Sequence, residues 1–268
     1  MPVSYSLADR PAGYEVIREF LTRQGARPPR SALARFFGLS PIHADDASWY
    51  TGSLGEQAVG RQLARLGPEW TVLHAIPVGT GDSDIDHLII GSPGVFTLNT
   101  KRHKGKKIWV ADRRILVAGQ KVDHLRNTRH EASRASKLLS QARGRTVPVT
   151  GALVFVATEQ ITIRSRPTDV LISTEGTIVR ALKKLKPQIH PDEVAAIAEV
   201  SVRDSTWSSK PAAPVQPGLL AEFAELVRVE QVSRRIRIAW LLGFGAVLLA
   251  LGMLLLAMWT SGAALGLA

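Results

Sequence analysis

The chain contains no cysteine among its 268 residues. This absence excludes disulfide bonds, zinc–thiolate sites and thiol nucleophiles, and it is typical of a reducing compartment. Residues 1–30 contain several charged side chains and no unbroken apolar stretch, so no secretory signal is expected there. A Walker-type glycine loop, a GxSxG elbow and an HExxH motif are also missing, so these well-known routes to nucleotide, ester and zinc chemistry are not expected.

A second absence lies at the C-terminal end, where no Asp, Glu, Lys, Arg or His occurs from Ile238 onward. Within this stretch, residues 239–259 are about long enough to cross a hydrocarbon layer of roughly 30 Å. Trp240 and Trp259 lie at its two ends, where amphipathic rings favour the headgroup region. A buried core helix is the alternative, but such a helix seldom extends this far without a polar face. The pattern therefore predicts a single membrane-spanning helix.

Positive charge is in excess over the rest of the chain. The formal net charge is +11, and the arginines at 234, 235 and 237 account for +3 of this, so residues 1–233 carry +8. Because these arginines precede the apolar stretch and nothing charged follows it, the positive-inside rule predicts that the N-terminal domain is cytoplasmic. A body this basic favours polyanions, either nucleic acid or anionic lipid headgroups, and composition does not choose between them.

The remaining sequence alternates between helical and extended patterns, which predicts an α/β domain with a mixed central sheet and flanking helices. Prolines at 211, 214 and 217 indicate a linker after this domain. The expected organisation is a helical extension (1–48), the α/β domain (49–206), a proline-rich linker (207–218), a juxtamembrane helix (219–237), a transmembrane helix (238–260) and a short tail (261–268).

The informative motif lies in two predicted strands joined by the turn Gly91-Ser92-Pro93-Gly94. Side chains alternate between the two faces of a strand, so Asp84 and Asp86 share a face, and so do Asn99 and Lys101. Strands are poor in Asp, and a buried carboxylate is costly unless it is paired or metal-bound. The pair could also lie at an exposed strand start, so spacing alone leaves a chemical role open.

Three segments, GEQAVGRQL, DIDHLIIGSPGVFTLNTK and LRNTRHEA, together resemble the nuclease-related domain family, a branch of the PD-(D/E)XK nuclease-like fold. The resemblance covers roughly residues 50–175 and implies a restriction-endonuclease-like fold. It also implies hydrolysis of nucleic-acid phosphodiester bonds, with DNA the favoured substrate and Mg²⁺ or Mn²⁺ as cofactor.

The resemblance assigns roles to individual residues. Glu56 matches the helix glutamate, Asp86 the metal-binding aspartate, and Lys101 the lysine that would position the attacking water. Asp84 would be an auxiliary carboxylate. Hard oxygen ligands suit Mg²⁺, and a nearby ammonium group offsets negative charge on a reacting phosphate.

Asn99 departs from the family pattern, which has Glu or Asp two residues before the lysine. An amide oxygen can ligate a hard cation but brings no charge, so it weakens the expected metal site. Three interpretations stay open: an active site with an unusual ligand, a site rescued by Asp84 or Glu56, and a non-catalytic nucleic-acid-binding or scaffolding module with a degenerate metal site.

Basic residues follow the motif and are candidates for phosphate contacts. The predicted set is Arg102, Lys104, Lys106, Lys107, Arg126 and Arg129. A solvated basic face, or a surface for anionic lipid, is the alternative. His87 lies beside Asp86 but faces the other side of the strand, and Asn127 occupies a position where the family carries a polar amide; both are expected to support the site from its periphery.

Overall fold

The computed structural model describes residues 7–79, 83–209 and 214–265, with side chains through Met258. The helices are α1 (Tyr14–Gly25), α2 (Ala32–Phe36), α3 (Ala47–Leu63), α4 (His124–Arg143), α5 (Ile178–Lys183), α6 (Pro191–Ser201), α7 (Asp204–Trp207) and α8 (Leu219–Leu265), with 3₁₀ turns at Leu7–Asp9 and Ala44–Asp46. The strands are β1 (Thr71–Pro77), β2 (Asp84–Gly91), β3 (Gly94–Arg102), β4 (Lys107–Ala111), β5 (Arg114–Val117), β6 (Gln120–Val122), β7 (Val149–Val156), β8 (Gln160–Ile163) and β9 (Val170–Thr174).

The central sheet has the strand order β1-β2-β3-β7-β9. Strands β1, β2 and β3 form an antiparallel meander, while β7 and β9 lie parallel to β3. The predicted hairpin is present, with Gly91 opposite Gly94 at its turn. Parallel strands need a crossover, and α4 supplies the one between β3 and β7. The sheet is mixed, as the sequence predicts.

Helices cover both faces of this sheet. On one face, Val59 and Leu63 of α3 and Leu182 of α5 are buried in one apolar cluster with side chains of β2, β3 and β7. On the other face, Ala135 and Leu139 of α4 join a second cluster with α6 and the alternate residues of β2. Burial on both faces explains why residues 151–156 of β7 are continuously apolar rather than alternating.

A second sheet was not expected from the sequence. Strands β4 and β5 form a hairpin around Asp112, and β6 and β8 extend it to a four-stranded sheet of order β6-β5-β4-β8. β6 and β8 are only three and four residues long, with no fully buried side chain, so their sequences carry little periodic signal.

By contacts the chain divides into two units: Met1–Leu21 with Ala47–Pro217, and Thr22–Asp46 with Gly218–Ala268. Part of the predicted linker, residues 210–213, lies outside the described residues. The described part is attached to the first unit, because Tyr14 Oη contacts the carbonyl oxygen of Pro214 at 3.1 Å and accepts a hydrogen bond from Gln216 N at 2.9 Å.

The second unit is built around α8. Its segment 219–258 contains an apolar stretch with a mean hydropathy of 2.5, and none of the residues of that stretch is buried. By length and composition the segment is therefore a candidate membrane span. The predicted juxtamembrane and apolar segments form one continuous helix.

Candidate metal and catalytic centre

Four of the predicted site residues come together at the end of the β2–β3 hairpin away from its turn. Asp84 and Asp86 lie on β2, and Asn99 and Lys101 on β3, with their side chains on the face that α4 covers. Antiparallel pairing places Asp86 close to the last residues of β3, and Thr100 N donates a hydrogen bond of 2.6 Å to Asp86 Oδ2. The hairpin thus converts two sequence motifs into one cluster.

Asp86 is half-buried at the centre of this cluster. Burial raises the pKa of its carboxyl group, while Lys101 and the hydrogen bonds from Thr100 act in the opposite direction. Lys101 therefore supplies the positive charge that partly compensates this buried acid.

Glu56 reaches the same cluster from α3. Its neighbour Gly55 allows close packing on β3, since a Cβ atom at that position would be 3.2 Å from Arg102 Cβ and 3.3 Å from Thr100 Cγ2. Glu56 is buried, and Oε2 has no hydrogen-bond partner. Burial first, then the nearby Asp86 and Asp84, raise the pKa of Glu56 well above its ordinary value.

Glu131 of α4 was not among the predicted site residues. Its Oε2 accepts a hydrogen bond of 2.8 Å from Asn99 Nδ2. Burial, with a further contribution from Asp86, raises the pKa of Glu131 to about 8, although the Asn99 hydrogen bond and Lys101 oppose this. A sequence signal existed: Glu131 is the single acid in the otherwise basic α4 and lies four residues after Asn127, on the same helix face.

Asp84 lies at the mouth of the site. Burial raises its pKa to about 7, with a further contribution from Asp86. The adjoining cavity has a volume of about 280 Å³. It is lined by Val78, Ser83, Asp84, Ile85, Asn99, Arg126, Asn127, His130, Glu131 and Arg134. Two acids and an amide from the cluster therefore open into one small polar cavity with basic residues at its border.

Three oxygens in the cluster are buried and have no hydrogen-bond partner: Glu56 Oε2, Asn99 Oδ1 and Glu131 Oε1. Such orphaned oxygens are costly unless a proton or a cation satisfies them. No group of three or more His, Asp or Glu side chains in the described residues is arranged to hold a metal ion by itself. Mg²⁺ usually takes only one or two carboxylates and completes its octahedron with water and substrate phosphate. The donor set therefore fits Mg²⁺ or Mn²⁺ as a partial site, with an amide oxygen included.

The two predicted peripheral residues lie in different places. His87 is fully buried on the opposite face of β2, where its Nδ1 lies 2.8 Å from Nδ1 of His74. Burial lowers the pKa of both rings, and that of His74 to about 4. The pair therefore joins β1 to β2 as neutral imidazoles, away from the acidic cluster. Asn127, in contrast, is exposed and lines the site cavity.

A second histidine pair lies beside the site. His103 follows β3 and His124 begins α4, with their Nε2 atoms 2.9 Å apart. Burial lowers the pKa of both rings, and Lys101 lowers them further. This pair joins the end of β3 to the start of α4.

The candidate phosphate-binding residues differ in their availability. Lys104 and Lys106 are exposed in the turn before β4, and Arg102 is partly buried. Lys107 and Arg126 form exposed ion pairs with Glu159 and Asp123 at 3.4 and 3.0 Å. Arg129 is engaged more firmly, with Nε and Nη2 at 2.6 and 2.9 Å from the two carboxylate oxygens of Asp169.

A larger cavity of about 1000 Å³ lies at the opposite ends of β3, β7 and β9. Its lining includes Pro93, Arg143, Arg166 and Glu193, and none of the candidate catalytic or metal-binding residues. Size therefore does not identify the chemical site in this fold.

The mixed sheet thus presents Asp-x-Asp and a lysine from its β2–β3 hairpin, close to a glutamate of the preceding helix α3. The model of the nuclease-related domain, a family of the PD-(D/E)XK-like nuclease superfamily, matches residues 51–156 of the chain. The resemblance of the sequence motifs is thereby confirmed.

One curated relative is an uncharacterized protein of Bacillus anthracis, 42% identical over 60 residues. The match covers 21% of this chain and 28% of the relative, so the chain spans little more than a quarter of that protein. No solved structure matches the chain significantly.

Proposed function

We propose that this chain is a membrane-tethered, Mg²⁺-dependent nuclease that hydrolyses phosphodiester bonds of nucleic acid, DNA in the first place. The observation that carries the proposal is the convergence of Glu56, Asp86, Lys101 and Glu131 in one buried cluster beside a polar cavity. Buried acids whose pKa values are raised by burial and by neighbouring acids are typical of functional sites. The match to a nuclease-related domain supports the same reaction class.

In this proposal Asp86, Glu131 and the Asn99 amide oxygen hold the metal ion, with Glu56 and Asp84 as nearby carboxylates. When bound, Mg²⁺ would polarise the scissile phosphate and lower the pKa of the attacking water. The Lys101 ammonium orients that water and offsets negative charge that develops on the phosphate. Exposed Lys104 and Lys106 contact the phosphate backbone and hold the strand in place.

The hydrogen bond between Asn99 and Glu131 gives the unusual asparagine an explanation. Asn99 brings no charge, but its Nδ2 holds a carboxylate from α4 within 2.8 Å of the family's second acidic position. Its Oδ1 and Glu131 Oε1 are both left without a partner. We infer that Glu131 supplies the missing negative charge, so that the helix replaces the strand as the source of the second acid.

Plasmid nicking by the full chain in detergent tests the proposal. Wild-type protein should relax supercoiled DNA with Mg²⁺ or Mn²⁺, and Asp86→Ala should lose this activity. Asp112→Ala is the matched control, since Asp112 is an exposed acid in the β4–β5 turn. Equal, background-level cleavage by all three proteins with both metals would overturn the enzymatic proposal.

A non-catalytic nucleic-acid-binding module is the second candidate, and the neutral Asn99 favours it. This module would bind DNA with strong salt dependence and show no turnover. It would also bind Mn²⁺ weakly, so calorimetric titration of the unmodified chain separates the two candidates. Tight Mn²⁺ binding would count against a degenerate site.

The C-terminal span adds a location to the proposed activity. Exposed Arg234 and Arg235 precede the apolar part of α8, which supports a single-pass topology with the nuclease-related domain in the cytoplasm. Protease protection in sealed membrane vesicles tests this topology, since a cytoplasmic domain must be cleaved only from the cytoplasmic side.

A further inference from the structure

Residues 31–40 form a short segment containing α2, and this segment docks on α8 within the second unit. The ring of Trp240 packs against Phe36 and Phe37, with centroid separations of 5.0 and 5.3 Å. Trp240 Nε1 also donates a hydrogen bond of 2.9 Å to the carbonyl oxygen of Phe36. The segment is therefore fixed to α8 close to the start of the uncharged stretch.

Polar contacts and one glycine specify this docking. Arg30 Nη1 donates to Ser233 Oγ at 2.8 Å, and Ser40 Oγ donates to Glu230 at 2.6 Å. Gly38 has φ +67°, and a Cβ there would lie 2.4 Å from the carbonyl oxygen of Ser233 and 2.6 Å from Arg237 N. Backbone contact this close requires glycine for both conformation and space.

The docked segment leaves its largest apolar side chains uncovered. Leu33, Phe36, Phe37 and Leu39 are 70%, 58%, 46% and 51% exposed. Adjacent Trp240 is 43% exposed, and the apolar side chains of α8 continue this surface into the candidate span. A contiguous apolar patch that is exposed to solvent marks a site of interaction with a protein or a membrane.

Basic side chains surround this patch. Arg35 lies within α2, and Arg234 and Arg235 lie on α8 one to two turns before Trp240; all three are exposed. Aromatic rings at the end of a span, with arginines just beyond them, match the two layers of a membrane interface. The apolar side chains of the α2 segment add surface there that the headgroup and upper acyl region can cover.

We propose that residues 31–40 are an interfacial anchor, inserted beside α8 into the headgroup region of an anionic bilayer, with Leu33, Phe36 and Phe37 toward the acyl chains. The inference rests on α8 being a membrane span, as proposed above. Continuity of the patch with α8 at Trp240 selects the bilayer over a second copy of the chain as the covering partner. A span alone needs no such segment, so the anchor is an additional membrane contact.

The lack of cysteine allows a direct test with the full chain in vesicles. Leu33→Cys is labelled with an environment-sensitive fluorophore, and exposed Lys121→Cys in the nuclease-related domain is the control. In vesicles containing phosphatidylglycerol, we expect a blue-shifted Leu33 label that a lipid-borne nitroxide near the headgroups quenches several-fold more than the control label. Equal quenching of the two labels would overturn the anchor.

Three further arms separate the alternatives. Resistance to alkaline extraction tests whether α8 spans the membrane, independently of the anchor. If the chain resists extraction but the Leu33 label remains in water, the anchor is refuted and the span is not. A blue shift that disappears on dilution with excess lipid identifies a second copy of the chain as the partner and overturns the proposal. Equal quenching of the Leu33 label in vesicles of phosphatidylcholine alone would overturn the role of anionic headgroups.

Glycine variants test whether docking on α8 positions the anchor. Gly38→Ala places Cβ against the α8 backbone and should abolish the difference between the two labels while extraction resistance persists. Gly218→Ala is the matched control, because Gly218 has φ +87° but nothing within 4 Å of its Cβ position. Full quenching of the Leu33 label in Gly38→Ala would contradict the docked arrangement.

Discussion

The Asn99 side chain on β3 donates a 2.8 Å hydrogen bond to the Glu131 carboxylate on α4. The two residues are 32 positions apart in the chain, and the parallel β3–α4–β7 crossover brings them together. At position 99 of β3, where the family pattern has an acidic residue, this chain has an amide. The nearby acid is Glu131, which comes from α4. The hydrogen bond therefore links the departure from the family pattern to its proposed compensation.

If Glu131 supplies the missing charge, its removal should weaken metal binding. We expect Glu131→Gln to reduce Mn²⁺ affinity on the order of 10–100-fold, as for groups that support a metal site. The double variant Asn99→Glu/Glu131→Gln should regain much of the lost Mn²⁺ affinity, because it returns the negative charge to β3. Calorimetric titration of the full chain in detergent measures both effects.

Glu159→Gln is the control for that series, since Glu159 is an exposed acid that pairs with Lys107. Unchanged Mn²⁺ affinity in Glu131→Gln would show that the helix acid takes no part in the metal site.

Stability without metal should fall as the pH rises above neutrality. The folded-state pKa values of Asp84 and Glu131 are raised to about 7 and about 8, so the folded protein holds protons that the unfolded chain releases. Their stabilising contribution is complete below their ordinary pKa values and is lost as the pH rises through about 7 to 8. Neutral buried histidines such as His74 act in the opposite direction, but only below their ordinary pKa of 6.5.

The informative window is therefore from pH 6.5 to about 9. Thermal unfolding in chelator, followed by tryptophan fluorescence, should show a falling melting temperature in wild type and a flatter profile in Glu131→Gln. Parallel profiles of the two proteins would rule out Glu131 as a source of the slope.

Packing of α4 on β7 should control the Asn99–Glu131 contact. A Cβ atom at Gly151 would lie 2.7 Å from Thr128 Cγ2 and 3.0 Å from the Thr128 carbonyl oxygen, so Gly151→Ala pushes α4 off the sheet. We expect a loss of about 1–3 kcal/mol, typical of overpacking, with weakened Mn²⁺ binding. Gly176→Ala serves for comparison, because its nearest neighbour would be 3.9 Å away. Equal chemical denaturation midpoints for the two variants would refute this role of Gly151.

Lysines in the turn before β4 should contribute more to DNA binding than Arg129. Lys104 and Lys106 are exposed, whereas both carboxylate oxygens of Asp169 already engage Arg129. Replacing both lysines by alanine should lower the slope of log affinity against log salt by about 2, near one unit for each phosphate contact. Arg129→Ala should leave the slope unchanged and cost less than about 1 kcal/mol of stability, as for an exposed ion pair. Fluorescence anisotropy over a salt series distinguishes the two, and a lower slope in Arg129→Ala alone would reverse the assignment.

Much of the site could be predicted because it lies in one hairpin. Alternation along two short strands places Asp86 and Lys101 on a common face, and the Gly-Ser-Pro-Gly turn sets their pairing. Glu56 followed from the family resemblance, and Gly55 beside it explains how α3 approaches β3 so closely. Glu131 was missed because the sequence around a helix residue does not specify which strand residue its side chain contacts in the folded protein.

The sequence by itself determined the apolar span, the mixed sheet and the faces that carry the acidic residues, because these depend on composition and on periods of a few residues. Tertiary structure alone decided that Glu131 contacts Asn99 and that Phe36 contacts Trp240, 204 positions away. Periodicity fixes the direction of a side chain from its own element. The partner it reaches depends on how distant elements pack, and that packing is set by the core as a whole.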